Sequence, residues 1–142
     1  MRIINAAGLA IIKEFEGCKL SAYQDGGGIW TCGYGHISGV NSATTCGPEL
    51  AEKWLLEDLE ITENLVSNEI TIPLSDNQFS ALVSFTFNEG IGHLHRSTIK
   101  EELEQKNYEG AADAILMWDK IRGCRSPGLD RRRQAERLLF IS

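Results

Sequence analysis

The sequence lacks any long apolar run and any leader-like beginning. No hydrophobic stretch approaches the roughly 18 residues that a membrane-spanning helix requires. The first five residues, Met-Arg-Ile-Ile-Asn, are not part of an apolar segment with a small-residue cleavage site, which is the pattern of a secretory signal. These absences predict a chain that begins in the cytoplasm and does not insert stably into a membrane.

The cysteine spacing of a zinc site is also missing. Cys18, Cys32, Cys46 and Cys124 include no Cys-x-x-Cys pair, so we expect no metal and no other cofactor. Without a secretion signal, free thiols are the default. Outside the cytoplasm, a disulfide between two of Cys18, Cys32 and Cys46 becomes an alternative, and the sequence does not choose among the possible pairings.

Basic charge is scarce over the chain as a whole. The net charge of −6 argues against nucleic acid as the main partner. The average conceals a split, because residues 49–69 hold seven acids and one base, whereas residues 122–137 are rich in arginine. Two solvated helix faces explain this split, and the alternative is that the basic end faces an anionic polymer.

The first third of the 142 residues predicts one helix and a small sheet. Residues 5–16 have a helical apolar pattern, with Asn5 as a cap and Gly17 as a left-handed stop. Residues 20–37 are rich in strand formers around the turn Asp25-Gly-Gly-Gly, which predicts a β-hairpin, and a third short strand is expected after Gly35. A chain of this length can form one domain, or one domain with two lobes.

The remainder predicts helices. A helix from Pro48 to about residue 67 is expected to link two lobes. A capping box, Ser75-x-x-Gln78, precedes an apolar segment that predicts a buried central helix ending near residue 88. Further helices are predicted at 98–106, 110–120 and 129–140, with a loop at 122–128. The apolar stripe of the linking helix is read as Leu50, Trp54, Leu55, Ile61 and Leu65.

Three polar residues within sixteen positions, Glu16, Asp25 and Thr31, are the most informative feature. Glu16 ends a helix, where the negative end of the dipole and partial burial favour its protonated form, while Asp25 at an exposed turn should stay ionised. A carboxylic acid and a carboxylate in different environments are the minimum apparatus for hydrolysing a glycosidic bond. Taken alone, the two carboxyls are better explained as a surface acid at a helix end and an ordinary turn residue.

A series of motifs decides between these interpretations. Eight residues separate Glu16 from Asp25 and five separate Asp25 from Thr31, and the motif Gly33-Tyr-Gly-His36 begins two positions after Thr31. Later come the segment LSDNQFSALVSFTFNEG at 74–90, a Ser-Thr pair at 97–98, and GLDRRRQAERLLF at 128–140. In this order and spacing, residues from about 5 to 141 resemble the phage-type lysozymes, glycoside hydrolase family 24.

The resemblance implies an α+β, lysozyme-like fold in a single domain over residues 1–142. It consists of a sheet lobe at about 17–46, an interlobe helix at about 48–67, and a helical lobe at about 68–142 that includes the N-terminal helix 5–16. An active-site cleft is expected between the lobes. The implied activity is that of a phage endolysin, a muramidase that cleaves the β-1,4 bond between N-acetylmuramic acid and N-acetylglucosamine in peptidoglycan during host cell lysis.

The roles of individual residues also come from the resemblance. Glu16 is expected to be the general acid, with Asp25 and Thr31 positioning the attacking water in an inverting reaction. One of Arg131, Arg132 and Arg133 is expected to pair with Glu16, with Arg132 preferred, and Glu136, four positions after Arg132, could share that arginine. The implied substrate-binding residues are Gly35, Ile37, Phe87 and Asn88, and the supporting residues are His36 and Arg132.

The expected partner is the glycan strand of peptidoglycan, with no role for nucleic acid. We expect a monomer that waits in the host cytoplasm and reaches periplasmic peptidoglycan with the help of a holin. Two other functions stay open. A non-catalytic peptidoglycan-binding module would not need all three catalytic residues, and a lytic transglycosylase would not need a carboxylate that positions water.

Overall fold

The computed structural model describes residues 2–142, which form two compact units. The small unit is residues 12–61, and the large unit comprises residues up to 11 together with 62–142. The boundary between the units falls inside helix α1 (Ala6–Glu16) and inside helix α2 (Pro48–Glu69). No helix within residues 2–142 combines the length and the apolar character needed to cross a membrane.

An antiparallel hairpin occupies the first part of the small unit. Strand β1 (Lys19–Gln24) pairs with strand β2 (Trp30–Gly33), and Tyr23 lies directly opposite Thr31. The turn between the strands is closed by the Asp25 N–H, which donates to the Ile29 carbonyl oxygen at 2.9 Å. The hairpin predicted from the glycine-rich turn is therefore confirmed.

The third strand predicted after Gly35 was wrong as a continuous element. In the part of the chain that the structure describes, this region makes isolated bridges, Cys32 with His36 and Ser21 with Thr45. Gly35 and Gly39 have φ angles of +87° and +71°, a left-handed conformation that interrupts extended backbone. The chain here forms a loop with glycines in the left-handed conformation instead of a strand.

Five helices and a second hairpin make up the rest of the large unit. They are α3 (Asp76–Glu89), α4 (Ile91–His95), α5 (Thr98–Glu104), α6 (Tyr108–Ile115), β3 (Lys120–Ile121), β4 (Cys124–Arg125) and α7 (Pro127–Phe140). Helix α3 packs against α7, and α5 packs against α6. The predicted capping box is present, since Ser75 Oγ accepts from Gln78 N–H at 3.0 Å and Gln78 Oε1 accepts from Ser75 N–H at 2.8 Å. Every residue from 79 to 86 is buried, which confirms α3 as the central helix.

The region after α6 differs from the sequence prediction. The helix expected to reach Lys120 ends at Ile115, and the loop expected at 122–128 instead contains a two-residue turn, strand β4 and the start of α7. Arg122 and Gly123 form the turn with φ angles of +52° and +79°. Two-residue hairpin turns of this kind are signalled by Asn-Gly or Asp-Gly, so Arg-Gly gave no usable signal.

A charged cluster at the end of α2 supplies a pH-dependent contribution to stability. Lys100 Nζ donates to Glu69 Oε1 at 2.6 Å, and His95 Nδ1 also bonds to this oxygen. The hydrogen bond from Lys100 lowers the pKa of Glu69 below its ordinary value of 4.5, although burial opposes it and His95 reinforces it. A depressed carboxyl pKa contributes stability that is present above the unfolded-state pKa and lost as pH falls through the folded-state pKa.

We therefore predict that Glu69→Gln lowers the free energy of unfolding by about 0.5–1 kcal/mol at pH 6. The difference from the parent should shrink as pH falls below about 4.5 and vanish once pH lies below the lowered folded-state pKa of Glu69, because both chains then carry an uncharged side chain at this position. Urea unfolding at pH 6 and pH 3 measures this, with the exposed Glu101→Gln on α5 as the matched control. A Glu69→Gln deficit that persists unchanged at pH 3 would contradict the electrostatic origin.

Candidate active site

Glu16 is the last residue of α1 and is half-buried. Gly17 follows with a φ of +67°, and its N–H donates to the Lys13 carbonyl oxygen at 3.1 Å, which ends the helix at this carboxyl. A Cβ atom placed on Gly35 would lie 3.5 Å from Glu16 Oε1. The loop backbone at Gly35 thus lies beside the Glu16 carboxyl, and the absence of a side chain at Gly35 leaves space next to that carboxyl.

Asp25 stands at the hairpin turn with an exposed carboxyl. Its Oδ1 accepts hydrogen bonds from the N–H groups of Gly27 at 2.8 Å and Ile29 at 2.9 Å. An aspartate that bonds to the backbone two residues on forms an Asx turn, which fixes the orientation of the carboxylate. Since Oδ1 is engaged in this way, Oδ2 is the oxygen that can accept a proton from a water molecule.

Thr31 is buried in β2, one pair along the ladder from the turn. Its hydroxyl donates to the Ile29 carbonyl oxygen at 3.0 Å. Because a hydroxyl carries one hydrogen and two lone pairs, this leaves Thr31 Oγ1 as an acceptor for water. Ile29 therefore connects the two residues, because its N–H donates to Asp25 Oδ1 and its carbonyl oxygen accepts from the Thr31 hydroxyl.

Tyr23 is a candidate site residue that the sequence reasoning missed. It lies opposite Thr31 in the hairpin, and directly opposed residues in an antiparallel pair place their side chains on the same face. Burial raises the pKa of the Tyr23 phenol, and the negative charges of Glu16 and Asp25 raise it further. The phenol thus lies within electrostatic reach of both predicted catalytic carboxyls and stays protonated at neutral pH. Its position two residues before Asp25 on a strand was the signal available in the sequence.

The loop after β2 carries the other small-unit residues singled out from the sequence. His36 is buried, and its Nδ1 lies 2.8 Å from Asp58 Oδ2 on α2. Its ring stacks on the ring of Trp54, with centroids 4.5 Å apart and an interplanar angle of 11°. Ile37 is 53% exposed. His36 thus anchors the loop to α2 while the next residue faces solvent.

The His36 anchor should be measurable. We predict that Asp58→Ala lowers the free energy of unfolding by about 1–3 kcal/mol, since the buried imidazole loses its hydrogen-bond partner. Alanine suits a helix interior, so a propensity penalty does not confuse the result. Chemical unfolding followed by tryptophan fluorescence tests this against Glu57→Ala, whose carboxylate makes only a 4.0 Å exposed contact with Lys53. Equal stability of the two variants would show that the pair contributes nothing.

Phe87 and Asn88 lie near the end of α3 in the large unit. Phe87 is half-buried, and Asn88 is exposed. Asn88 Oδ1 accepts a hydrogen bond from Arg133 Nη2. Because a guanidinium can only donate, the amide must turn its oxygen towards Arg133, which leaves the Asn88 NH₂ group as a donor for a ligand.

A buried ionic network on α7 holds this part of α3. Glu136 is fully buried and accepts from Ser84 Oγ at 2.6 Å, from Arg132 Nε at 3.2 Å, and from Arg133 Nη1. Arg132 pairs with Glu136, four positions further along the helix, whereas pairing of Arg132 with Glu16 stays a prediction. Arg133 was named from the sequence only as an alternative to Arg132 for pairing with Glu16, and its role of orienting Asn88 was missed.

Arg133 connects several parts of the large unit. Its Nε donates to the Trp118 carbonyl oxygen at 2.8 Å and its Nη2 to Glu89 Oε1 at 2.9 Å. The guanidinium also lies over the Phe85 ring, 4.9 Å from its centroid. The spacing of Arg133 and Glu136, three apart on a helix, was the only local hint of this role.

Comparison with known proteins gives the family context. The model of the phage lysozyme family matches residues 13–136. The chain is 40% identical to the endolysin of Salmonella phage P22, with all of both chains covered, and 40% identical to the endolysin of Acyrthosiphon pisum secondary endosymbiont phage 1, with 98% of each covered.

Solved structures agree. The endolysin of Escherichia coli O157:H7 phage FAHEc1 superposes with a TM-score of 0.90 at 36% identity, covering 99% of this chain and 94% of its own. The muramidase domain of SpmX from Asticaccaulis excentricus has a TM-score of 0.94 at 34% identity, with coverages of 100% and 99%. With a family match over most of its length and full-length relatives at 40% identity, the chain belongs to the phage lysozyme family.

Proposed function

We propose that this member of the phage lysozyme family is a muramidase endolysin that hydrolyses the β-1,4 bond between N-acetylmuramic acid and N-acetylglucosamine in peptidoglycan. The observation that carries this proposal is the arrangement of the small unit. Glu16 ends a helix beside the Gly35 backbone, and hydrogen bonds to the backbone fix Asp25 at a turn. Both carboxyls raise the pKa of the same phenol, Tyr23.

Glu16 acts as the general acid. It protonates the glycosidic oxygen as the bond to the muramic acid carbon breaks, which avoids expulsion of a strongly basic alkoxide. The flat backbone at Gly35 lets a sugar ring approach the Glu16 carboxyl closely. Ile37, exposed two residues later, is proposed to contact the sugar, and His36 supports the loop through Asp58.

Asp25 and Thr31 handle the attacking water. The water donates one hydrogen to Thr31 Oγ1, whose own hydrogen is engaged by Ile29, and the other to Asp25 Oδ2. Asp25 takes that proton as oxygen attacks the anomeric carbon, so the configuration inverts. The backbone bonds at Asp25 Oδ1 keep the base pointing at the water without further reorganisation.

Phe87 and Asn88 are proposed as substrate-binding residues of the large unit. The Asn88 NH₂ group, turned outward because its oxygen faces Arg133, suits the carbonyl oxygen of an N-acetyl group. Arg132 is proposed as a supporting residue, held in place by Glu136 and by the Ser84 carbonyl oxygen at 3.1 Å. No metal or other cofactor is required for this chemistry.

Product analysis on purified peptidoglycan tests the function. We expect soluble fragments with reducing N-acetylmuramic acid ends, seen by mass spectrometry, and the α-anomer first in time-resolved NMR. Anhydro ends, 18 Da lighter because no water is added, would identify a lytic transglycosylase instead. Binding to peptidoglycan without any fragment release would identify a binding module. Initial formation of the β-anomer would leave a muramidase but overturn inversion.

The Tyr23 hydroxyl should contribute to turnover. We predict that Tyr23→Phe lowers kcat by about 2- to 10-fold, the effect of removing a polar hydroxyl within electrostatic reach of both carboxyls, and leaves thermal stability within about 2 °C. Initial rates of reducing-end release measure this, with Tyr34→Phe in the neighbouring loop as the matched control. A full rate in Tyr23→Phe would restrict Tyr23 to a packing role.

The route to the substrate is a separate part of the proposal. By resemblance to phage endolysins, we propose a monomer that is made in the host cytoplasm and passes to the peptidoglycan through a holin-like membrane pore. Expression in a bacterial host with and without a pore-forming holin tests this. Prompt lysis only with the holin supports the route, and equally prompt lysis without it overturns the route while leaving the enzymatic proposal intact.

A further inference from the structure

Two of the four thiols lie side by side in the small unit. Cys32 Sγ is 3.5 Å from Cys46 Sγ, although the residues are fourteen positions apart. Both sulfurs also face the Lys19 carbonyl oxygen, at 3.6 Å and 4.0 Å. Cys18 and Cys124 are exposed and make no such contact within the described residues. Among the cysteine pairings that the sequence left open, the geometry selects one.

The pair is held by backbone on both sides. Cys32 is fully buried in β2, directly after Thr31. Cys46 is half-buried just before α2, and its N–H donates to the Leu20 carbonyl oxygen on β1 at 2.9 Å. A disulfide requires sulfurs about 2.05 Å apart, so rotation of the two side chains must close a gap of about 1.5 Å from the present 3.5 Å.

We propose that Cys32 and Cys46 form a reversible disulfide when the protein meets an oxidising compartment, and that this bond ties down the loop that carries Gly35, His36 and Ile37. All three residues lie inside the ring of residues 32–46 that the bond would close. Formation of the bond does not depend on the proposed function. Only its setting, at peptidoglycan outside the reducing cytoplasm, rests on that function.

The chemistry is a thiol–disulfide exchange with a small disulfide as the oxidant. The Cys46 thiolate, the more accessible of the two, attacks one sulfur of the oxidant and releases the other half as a thiol. Cys32 then loses its proton and attacks the mixed disulfide at Cys46, which expels the second half as a thiol. One S–S bond forms in the protein, and two electrons and two protons pass to the oxidant.

Formation of the Cys32–Cys46 disulfide should be slow at neutral pH. Burial and the neighbouring Cys32 thiol raise the pKa of Cys46 to about 11, so the reactive thiolate is scarce near pH 7. We expect the rate of oxidation to rise by nearly tenfold per pH unit between pH 7 and pH 9. The pair thus resists brief oxidant exposure and closes only on sustained residence in an oxidising medium.

The oxidised protein should be more stable and still functional. The closed ring spans 15 residues, counting both cysteines, so the bond restricts the unfolded chain substantially. We expect the midpoint of thermal unfolding to rise by about 5–10 °C. Because the sulfurs need only a small movement, the positions of Glu16 and Asp25 should change little, and the readouts of this test are independent of catalysis.

A variant with Cys18→Ser and Cys124→Ser isolates the pair. After treatment with oxidised glutathione at pH 8.5, we expect its two thiols to become untitratable in denaturant, its mass to fall by about 2 Da, and its thermal midpoint to rise; dithiothreitol should reverse all three. The matched control adds Cys46→Ala and should show none of these changes. Two thiols that remain titratable, or no rise in the midpoint despite a bond, would overturn the proposal.

The unaltered chain provides a second test that does not depend on folding of the variants. Alkylation of the remaining thiols of the oxidised chain, followed by cleavage between residues 32 and 46 without reduction (for example by chymotrypsin after Tyr34), should yield two peptides linked through Cys32 and Cys46, with neither Cys18 nor Cys124 in the link. A linked peptide that contains Cys18 in place of either would overturn the assignment of the pair.

Discussion

Glu16→Gln is expected to reduce the rate of peptidoglycan hydrolysis by about 10²- to 10⁴-fold. The amide has nearly the same shape as the carboxyl but cannot protonate the leaving oxygen, so glycan cleavage must expel an unprotonated alkoxide. Glu16 is half-buried at a helix end, beside Gly35, and an isosteric change there preserves the packing. The loss should fall on kcat, because proton transfer occurs only in the transition state.

The assay is the fall in turbidity of outer-membrane-stripped cells, together with release of reducing ends from purified peptidoglycan. Glu14→Gln is the matched control, since it removes an exposed carboxyl two residues earlier on the same helix and should retain full activity. Sedimentation with peptidoglycan should show that Glu16→Gln still binds substrate. Lysis at the parental rate by a folded Glu16→Gln variant would remove Glu16 from the mechanism.

The part of the site that could be predicted from sequence is local. Glu16, Asp25 and Thr31 are placed by a helix end, an Asx turn and the next strand, and each of these has a signature within a few residues. Tyr23 was missed because its importance comes from cross-strand pairing with Thr31, which depends on the register of the hairpin. The turn could be predicted from its residues. The pairing register could not, because β1 has no alternation of apolar and polar residues that would mark a buried face.

The linking helix α2 shows a different limit. Of the predicted apolar stripe, Leu55 is buried, but Ile61 is 64% exposed and Leu65 38% exposed. The buried face of α2 instead consists of Ala51, Leu55, Leu59, Thr62, Glu63 and Val66. Glu63 belongs to this face because its carboxylate accepts the Ile4 N–H at 2.6 Å, a partner 59 positions away. A stripe defined by large apolar residues leaves out small side chains and polar side chains with buried partners. It therefore assigns the wrong face of the helix as the buried one.

The arginine-rich C-terminal helix was read as two possibilities, a solvated face or a surface for an anionic polymer. Arg132 and Arg133 are instead buried. Apart from Glu136 on the same helix, their partners come from α3 and from the Trp118 carbonyl group, up to 48 positions away, so neighbouring sequence could reveal only Glu136. Burial of such charges is tolerated only where hydrogen-bond partners are complete, and those partners were set by tertiary packing.

Glu136→Gln is expected to cause the largest loss of stability among single substitutions considered, about 3–5 kcal/mol in the free energy of unfolding. Glu136 is fully buried and offers its two oxygens to Ser84, Arg132 and Arg133. The amide replaces one accepting oxygen with a donor that faces other donors, and two buried guanidinium groups lose their shared counter-charge. A loss of this size is a large share of the total stability of a typical domain.

Urea unfolding at pH 7 should measure this loss as a lower midpoint, with Glu109→Gln, an exposed acid of α6, as the control that should stay within about 0.5 kcal/mol of the parent. Should Glu136→Gln not fold at 25 °C, Ser84→Ala removes one donor to the same carboxylate and should cost about 1 kcal/mol. Because Arg133 orients Asn88, the folded fraction of Glu136→Gln should also show a raised KM for peptidoglycan. A stability loss below about 1 kcal/mol would mean that water molecules solvate Arg132 and Arg133 in place of Glu136. The stability of the network would then not depend on the Glu136 carboxylate.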